Sequence, residues 1–316
     1  MPSTKPHVRN RPVSPLHRAP PEVVDPAWLM KAVGICLVGA IVCGYATLCL
    51  LYSHGEWQLL LHPSHTVTQT PASAGIGYSE IRFGAAETGQ PRLAGWWIPA
   101  NSSPGAAPRY AGVTVLYLHD GSGSLSDSVS ALAILHRIGM NVFAIDYRGF
   151  GASDTSANPS EARMSEDAAA ALEYLVSTLH IPAKEIVPYG TGLGASLAAR
   201  LAQAHPELPA VILDNPVPDA GSVAATQSPR FIPARLLFGH PFDIAGPLAT
   251  LGTPKLLIAG GPNSSSSASD PVTSQDRFRH AANPSSAVAL PPTGGETQYQ
   301  AALQRFLDQY LPAHRP

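Results

Sequence analysis

Charge is scarce in this chain. Asp, Glu, Lys and Arg make up 13% of its 316 residues, about half the share of an ordinary soluble domain, which argues against a coiled coil, a charged tail or the usual disordered profile. Neither sign dominates, with 20 basic residues against 22 acidic, so no partner from among the nucleic acids is expected. Cysteine is nearly absent. Cys36, Cys43 and Cys49 all fall in one apolar run, which leaves the rest of the chain without a disulfide or a thiolate metal site. No internal repeat is visible, and no His, Asp or Glu cluster has metal-ligand spacing, so neither metal nor cofactor is expected. The turn GTGLGAS (190–196), followed by Asp214, superficially echoes a dinucleotide fingerprint. It lies on a late strand and its third glycine position is Ala195, so it is not read as one.

Proline is plentiful, and seven prolines fall within residues 1–26. They prevent a helix or sheet, so residues 1–31 read as a disordered, Pro-rich basic tail. Ala32 to Tyr52 is a run of 21 residues without a charge, roughly 31 Å of helix at 1.5 Å per residue and enough for one hydrocarbon core. Trp28 precedes it and Trp57 follows, where aromatic rings favour the membrane interface. The run reads as one uncleaved transmembrane helix; a cleaved signal peptide, ending near Ser53-His54-Gly55, is the alternative. Lys5, Arg9, Arg11, Arg18 and Lys31 precede the run, and the next basic residue is Arg82. The positive-inside rule then keeps the N-terminus in the cytoplasm and puts the rest in the periplasm or outside the cell. Residues 53–74 read as a linker and 75–316 as the folded domain.

Beyond residue 75, short β-rich runs alternate with helical patterns. The strands expected are 77–83, 93–99, 113–118, 141–146, 185–189, 210–214, 255–260 and 286–291. Helices are expected over 125–137, 161–179, 193–204 and 272–282, and a last one has Tyr299, Leu303, Phe306 and Tyr310 on one face. Leu172, Leu175, Val176 and Leu179 share a helical face within 161–179. Such alternation demands an α/β fold with a mostly parallel sheet of eight strands flanked by helices, the first two strands antiparallel at one edge. NSSPGAAP (101–108) and PNSSSSASD (262–270) read as loops.

The order of LAGWWIPA (93–100), VLYLHDGSGSLSDS (115–128), IDYRGFGASD (145–154), GTGLGAS (190–196), PKLLIAGG (254–261) and SDPV (269–272) resembles the α/β-hydrolase superfamily, in particular its membrane-anchored serine-hydrolase-like members. The resemblance covers roughly residues 57–316 and implies a serine–histidine–acid triad with an oxyanion hole. The triad is degenerate. The serine's place at the G-x-S-x-G turn is Gly192, and Ser196 reads as a packed residue one helical turn further on. The histidine's place before the last helix reads Gly294-Gly295-Glu296, which makes Glu296 the candidate base. Asp270 is the candidate acid if the serine-rich stretch is an insertion, and Asn263 takes that place if it is not. The resemblance also implies oxyanion-hole donors at Gly121 and Leu193. His119 and Asp120 belong to the same pocket: His119 reads as structural, and Asp120 repels developing negative charge if its side chain points inward. His240 reads as a loop histidine, with Asp243 three residues on. The leading reading is a membrane-anchored pseudoenzyme binding a small-molecule or protein ligand. The alternative is an active hydrolase of ester, thioester or amide bonds with a rearranged site.

Overall fold

The computed structural model describes residues 25–54, 58, 60–85, 89–100, 109–156, 158–217, 241–260, 281–290 and 295–311, with scattered positions between 217 and 241. The chain divides into two compact units, one ending at Leu50 and one beginning at Leu51. The first contains most of helix α1, Pro26–His54. Asp25 starts it: its carboxylate accepts the Ala27 N–H at 2.9 Å and its carbonyl accepts the N–H groups of Trp28 and Leu29, while Pro26 sits where no donor is needed. The helix therefore begins six residues before the expected span, and residues 26–31 are helix rather than tail. Its stretch Pro26–Leu51 is long and apolar enough to cross a membrane. Thr47 donates its hydroxyl to the Cys43 carbonyl at 2.9 Å, so that polar group is satisfied within the helix.

The second unit is built on an eight-stranded sheet. Its strands are β2 (Ser79–Ala85), β3 (Pro91–Ile98), β4 (Thr114–Leu118), β6 (Asn141–Asp146), β7 (Ile186–Thr191), β8 (Val211–Asp214), β9 (Lys255–Gly260) and β10 (Ser285–Leu290). Their order is β10-β9-β8-β7-β4-β6-β3-β2; β3 pairs antiparallel with both neighbours and every other pairing is parallel. All residues of β4, β8 and β9 are buried, as apolar strands covered on both faces require. Helices α3 (Glu161–Glu173) and α4 (Gly194–Ala204) cover one face; α2 (Val129–Ile138) and α6 (Glu296–Tyr310) cover the other, and a short helix α5 (Ala245–Thr250) packs beside α4. The chain leaves β4 for β6 on one side and later returns to β7 on the other, so β4 and β7 are adjacent where the winding reverses. In open parallel sheets, ligands bind at the carboxyl ends of such a pair.

Two further expectations need correction. The stretch 161–179 is not one regular helix: α3 ends at Glu173 and continues as a π-helical turn over Tyr174–Thr178, in which the Leu179 N–H reaches back to the Tyr174 carbonyl. Leu172 and Leu175 are buried, whereas Val176 is turned out to solvent by the wider turn. The expected linker also proves to be part of the fold from Leu60 onward. Strand β1 (His62–Pro63) pairs in parallel with β5 (Ser122–Gly123), the His62 N–H donating to the Gly121 carbonyl and the Ser64 N–H to the Gly123 carbonyl, each at 2.8 Å. Leu60 and Leu61 are buried in the core. The expected helix over 272–282 lies largely outside the described residues.

Leu61→Ala separates a core residue from a linker residue. We expect a loss of about 2–4 kcal/mol in urea unfolding followed by tryptophan fluorescence, against under about 0.5 kcal/mol for a solvated linker position.

Candidate active site

The sharp turn between β7 and α4 is made by glycine for two reasons. Gly192 has φ +59°, the left-handed region that a side chain makes strained, and its N–H donates to the Asp214 carbonyl at 3.0 Å. Gly190 and Gly194 lie so close to backbone, Gly190 against residues 194 and 195 and Gly194 against the carbonyls of Leu118 and His119, that neither has room for a Cβ. Ser196 is buried and its hydroxyl donates to the Leu193 carbonyl at 2.8 Å, so it is occupied within the first turn of α4.

Across from this turn, the loop after β4 carries His119, Asp120 and Gly121. The Asp120 carboxylate points into the site. Its Oδ1 accepts the N–H of Gly121 and the N–H of Leu193, both at 2.7 Å, a length typical of charge-assisted bonds. Gly121 and Leu193 thus converge from two loops on one oxygen. A Cβ built on Gly192 would fall well inside van der Waals contact of that same Oδ1, and 2.7 Å from Oδ2. The carboxylate fills the volume that a side chain on the turn would need.

His119 faces the other way. Its ring lies 4.5 Å from that of Tyr147 and 5.1 Å from that of Phe150, centroid to centroid. Nδ1 is 2.6 Å from the Asp120 carbonyl, which only accepts, so the proton is on Nδ1. Nε2 is then a bare lone pair, buried and without a hydrogen-bond partner among the described residues, 3.7 Å from Asp146 Oδ1. Asp146 is itself engaged, accepting from the N–H groups of Leu125 and Ala152. Burial holds the imidazole pKa below its ordinary value, outweighing the opposite pull of Asp146 and, more weakly, Asp120 and Asp127.

Glu296, placed before the last helix by the sequence, is the first residue of helix α6, and its half-exposed carboxylate is engaged by the Arg137 guanidinium of α2 and by Gln300. Contacts to the turn at Gly192 are not among its described interactions. Asp270, Asn263 and His240 lie outside the described residues. Asp243 accepts the N–H groups of Ala245 and Gly246 at the start of α5. One polar cluster was not anticipated: Asp214, fully buried at the end of β8, has Oδ2 bonded by the hydroxyls of Tyr189 and Tyr299 and Oδ1 by the Asn215 amide. Tyr299 thereby ties α6 to the strand whose carbonyl holds the Gly192 N–H. Among the described residues, no group of three or more His, Cys, Asp or Glu could hold a metal ion.

An eight-stranded, mostly parallel sheet with a glycine-lined turn at the carboxyl end of its fifth strand in chain order, β7, is the fold of an α/β-hydrolase. Residues 113–273 match the family described as serine aminopeptidase, S33, and the chain belongs to it. It is 33% identical over 204 residues to Rv2307c of Mycobacterium tuberculosis strain H37Rv, covering 64% of this chain and 68% of that one. Bem46 of Schizosaccharomyces pombe is 31% identical over 148 residues, 46% of each chain. In three dimensions the Pyrococcus furiosus esterase Pf2001 superposes with a TM-score of 0.60 at 18% identity, covering 80% of this chain and 98% of that one. An α/β-hydrolase from Vibrio vulnificus gives 0.54 at 20% identity, over 76% and 81%. At such identities the likeness is one of fold.

The environment of His119 makes stability depend on pH. The folded chain keeps the ring neutral, whereas the unfolded chain binds a proton below about pH 6.5, so stability present above that pH is lost as pH falls. His119→Asn keeps a donor for the Asp120 carbonyl and removes the titration. We expect its unfolding free energy in urea to fall less between pH 7 and 5 than that of the wild type, by up to about 1.4 kcal/mol per pH unit; parallel profiles would rule this out.

Proposed function

We propose that this chain is a membrane-anchored α/β-hydrolase-fold pseudoenzyme, its N-terminus cytoplasmic and its domain periplasmic or extracellular, that binds a small-molecule or protein ligand without hydrolysing it. The observation that carries the reading is Gly192: the position from which an elbow nucleophile would project has no side chain. Covalent serine catalysis needs a hydroxyl and a base within hydrogen-bond reach of it. The nearest serine along the chain, Ser196, is buried and donates to backbone, and the acidic residue in the base's place, Glu296, is paired with Arg137. In a serine protease, removing the serine or the histidine alone costs on the order of a millionfold in kcat. Orientation rests on the basic residues up to Lys31 and the absence of Lys and Arg from there to Arg82.

The test uses the full chain in detergent, incubated with a fluorophosphonate and separately with short acyl esters. The reading expects no adduct by intact mass and no turnover above the buffer rate. Stoichiometric labelling, or inhibitor-sensitive turnover, would instead establish an active ester, thioester or amide hydrolase with a rearranged site, and the labelled residue would identify its nucleophile.

A further inference from the structure

We infer that Asp120 is a built-in ligand of two backbone donors converging from separate loops, and that it sets the specificity of the pocket by refusing acyl carbonyls and free carboxylates. The inference deepens the proposed function and rests on its reading of the 190–196 turn as a nucleophile seat. The two N–H groups that would receive a carbonyl oxygen, those of Gly121 and Leu193, are both bonded to Asp120 Oδ1 at 2.7 Å. The same carboxylate group occupies the space above Gly192. An incoming ester therefore meets neither a nucleophile nor an open pair of donors.

The arrangement is not slack in a surface loop. The backbone around Asp120 is fixed on both sides: its carbonyl receives His119 Nδ1 at 2.6 Å, and the Gly121 carbonyl receives the His62 N–H at 2.8 Å. A Cβ at Gly121 would lie 2.6 Å from Leu193 Cδ1 and 2.8 Å from Leu61 Cδ2, so this backbone is wedged between two buried leucines. The carboxylate also sits over the first residues of α4, eleven residues long, whose amino end favours negative charge. Because Asp120 is attached to the loop it bonds, its effective concentration at the donors far exceeds that of a dissolved carboxylate, which therefore cannot displace it at millimolar levels. Removing the side chain should leave the donors in place and vacant. A small external carboxylate can then take the position.

The experiment measures amide hydrogen exchange at Gly121 and Leu193, together with thermal unfolding, on the full chain in detergent. Wild type, Asp120→Gly and Asp120→Asn are compared in sodium formate and in sodium chloride of equal ionic strength. In chloride, Asp120→Gly should exchange both amides roughly tenfold faster than wild type. Up to about 200 mM formate should slow that exchange and raise the unfolding temperature saturably, with no such response in wild type. Asp120→Asn keeps a carbonyl acceptor of similar shape but no charge, so it should fold and exchange the two amides about threefold faster than wild type. Formate-insensitive amides in Asp120→Gly, a wild type that responds as that variant does, or wild-type exchange in Asp120→Asn would each overturn the inference. Should Asp120→Gly fail to fold, the asparagine variant decides the matter alone. Ester turnover by the wild type would refute the proposed function whatever formate does, whereas insensitivity to formate would refute only the role given to Asp120.

Discussion

A single carboxylate oxygen, held by two backbone N–H groups from different loops, governs the character of this site. The donors belong to Gly121, just after β4, and Leu193, just before α4, so their convergence depends on β4 and β7 being neighbours at the reversal of the sheet. That adjacency follows from the order in which the chain lays down its parallel strands. The glycines then let the elements approach: Gly194 lies against the carbonyls of Leu118 and His119, where any side chain would force α4 away from β4. Remove that close packing and the two N–H groups no longer share an acceptor.

The same region shows how buried polarity is managed elsewhere in the domain. Asp214 lies in the core with three donors from Tyr189, Tyr299 and Asn215, which offsets the cost of taking a carboxylate out of water. Lys255, fully buried at the start of β9, directs its ammonium to the carbonyls of Leu251 and Ala282 at 2.7 Å and of Pro284 at 3.3 Å, and burial pushes its pKa down. His119 is handled differently, as a neutral ring with one nitrogen bonded and the other without a hydrogen-bond partner among the described residues, boxed by Tyr147 and Phe150. Each group belongs to a loop or strand end that borders the β4–β7–β8–β9 core. Together they fix the backbone from which the site is built.

Much of this fold was legible in the amino-acid sequence because its signals are local. Apolar runs such as NVFAID and KLLIAG match strands β6 and β9 residue for residue, since a strand buried on both faces leaves no polar alternation to blur its ends. The turn at 190–194 was equally plain, its glycines being demanded by backbone contact. What escaped is non-local. Leu60, Leu61 and the two-residue strand β1 carry no periodicity, and only their pairing with Ser122–Gly123 draws them into the domain. The Glu296–Arg137 pair joins residues 159 positions apart. The direction of the Asp120 side chain is a rotamer choice, decided by donors that exist only once two loops have met.

The crowding between Asp120 and Gly192 also gives the site a direction in sequence space. A serine introduced at 192 by itself would have to expel the carboxylate and break both of its bonds, while adopting a left-handed backbone that costs about 1–2 kcal/mol. Occupancy of position 192 by a side chain is thus coupled to a second residue seventy-two positions earlier in the chain.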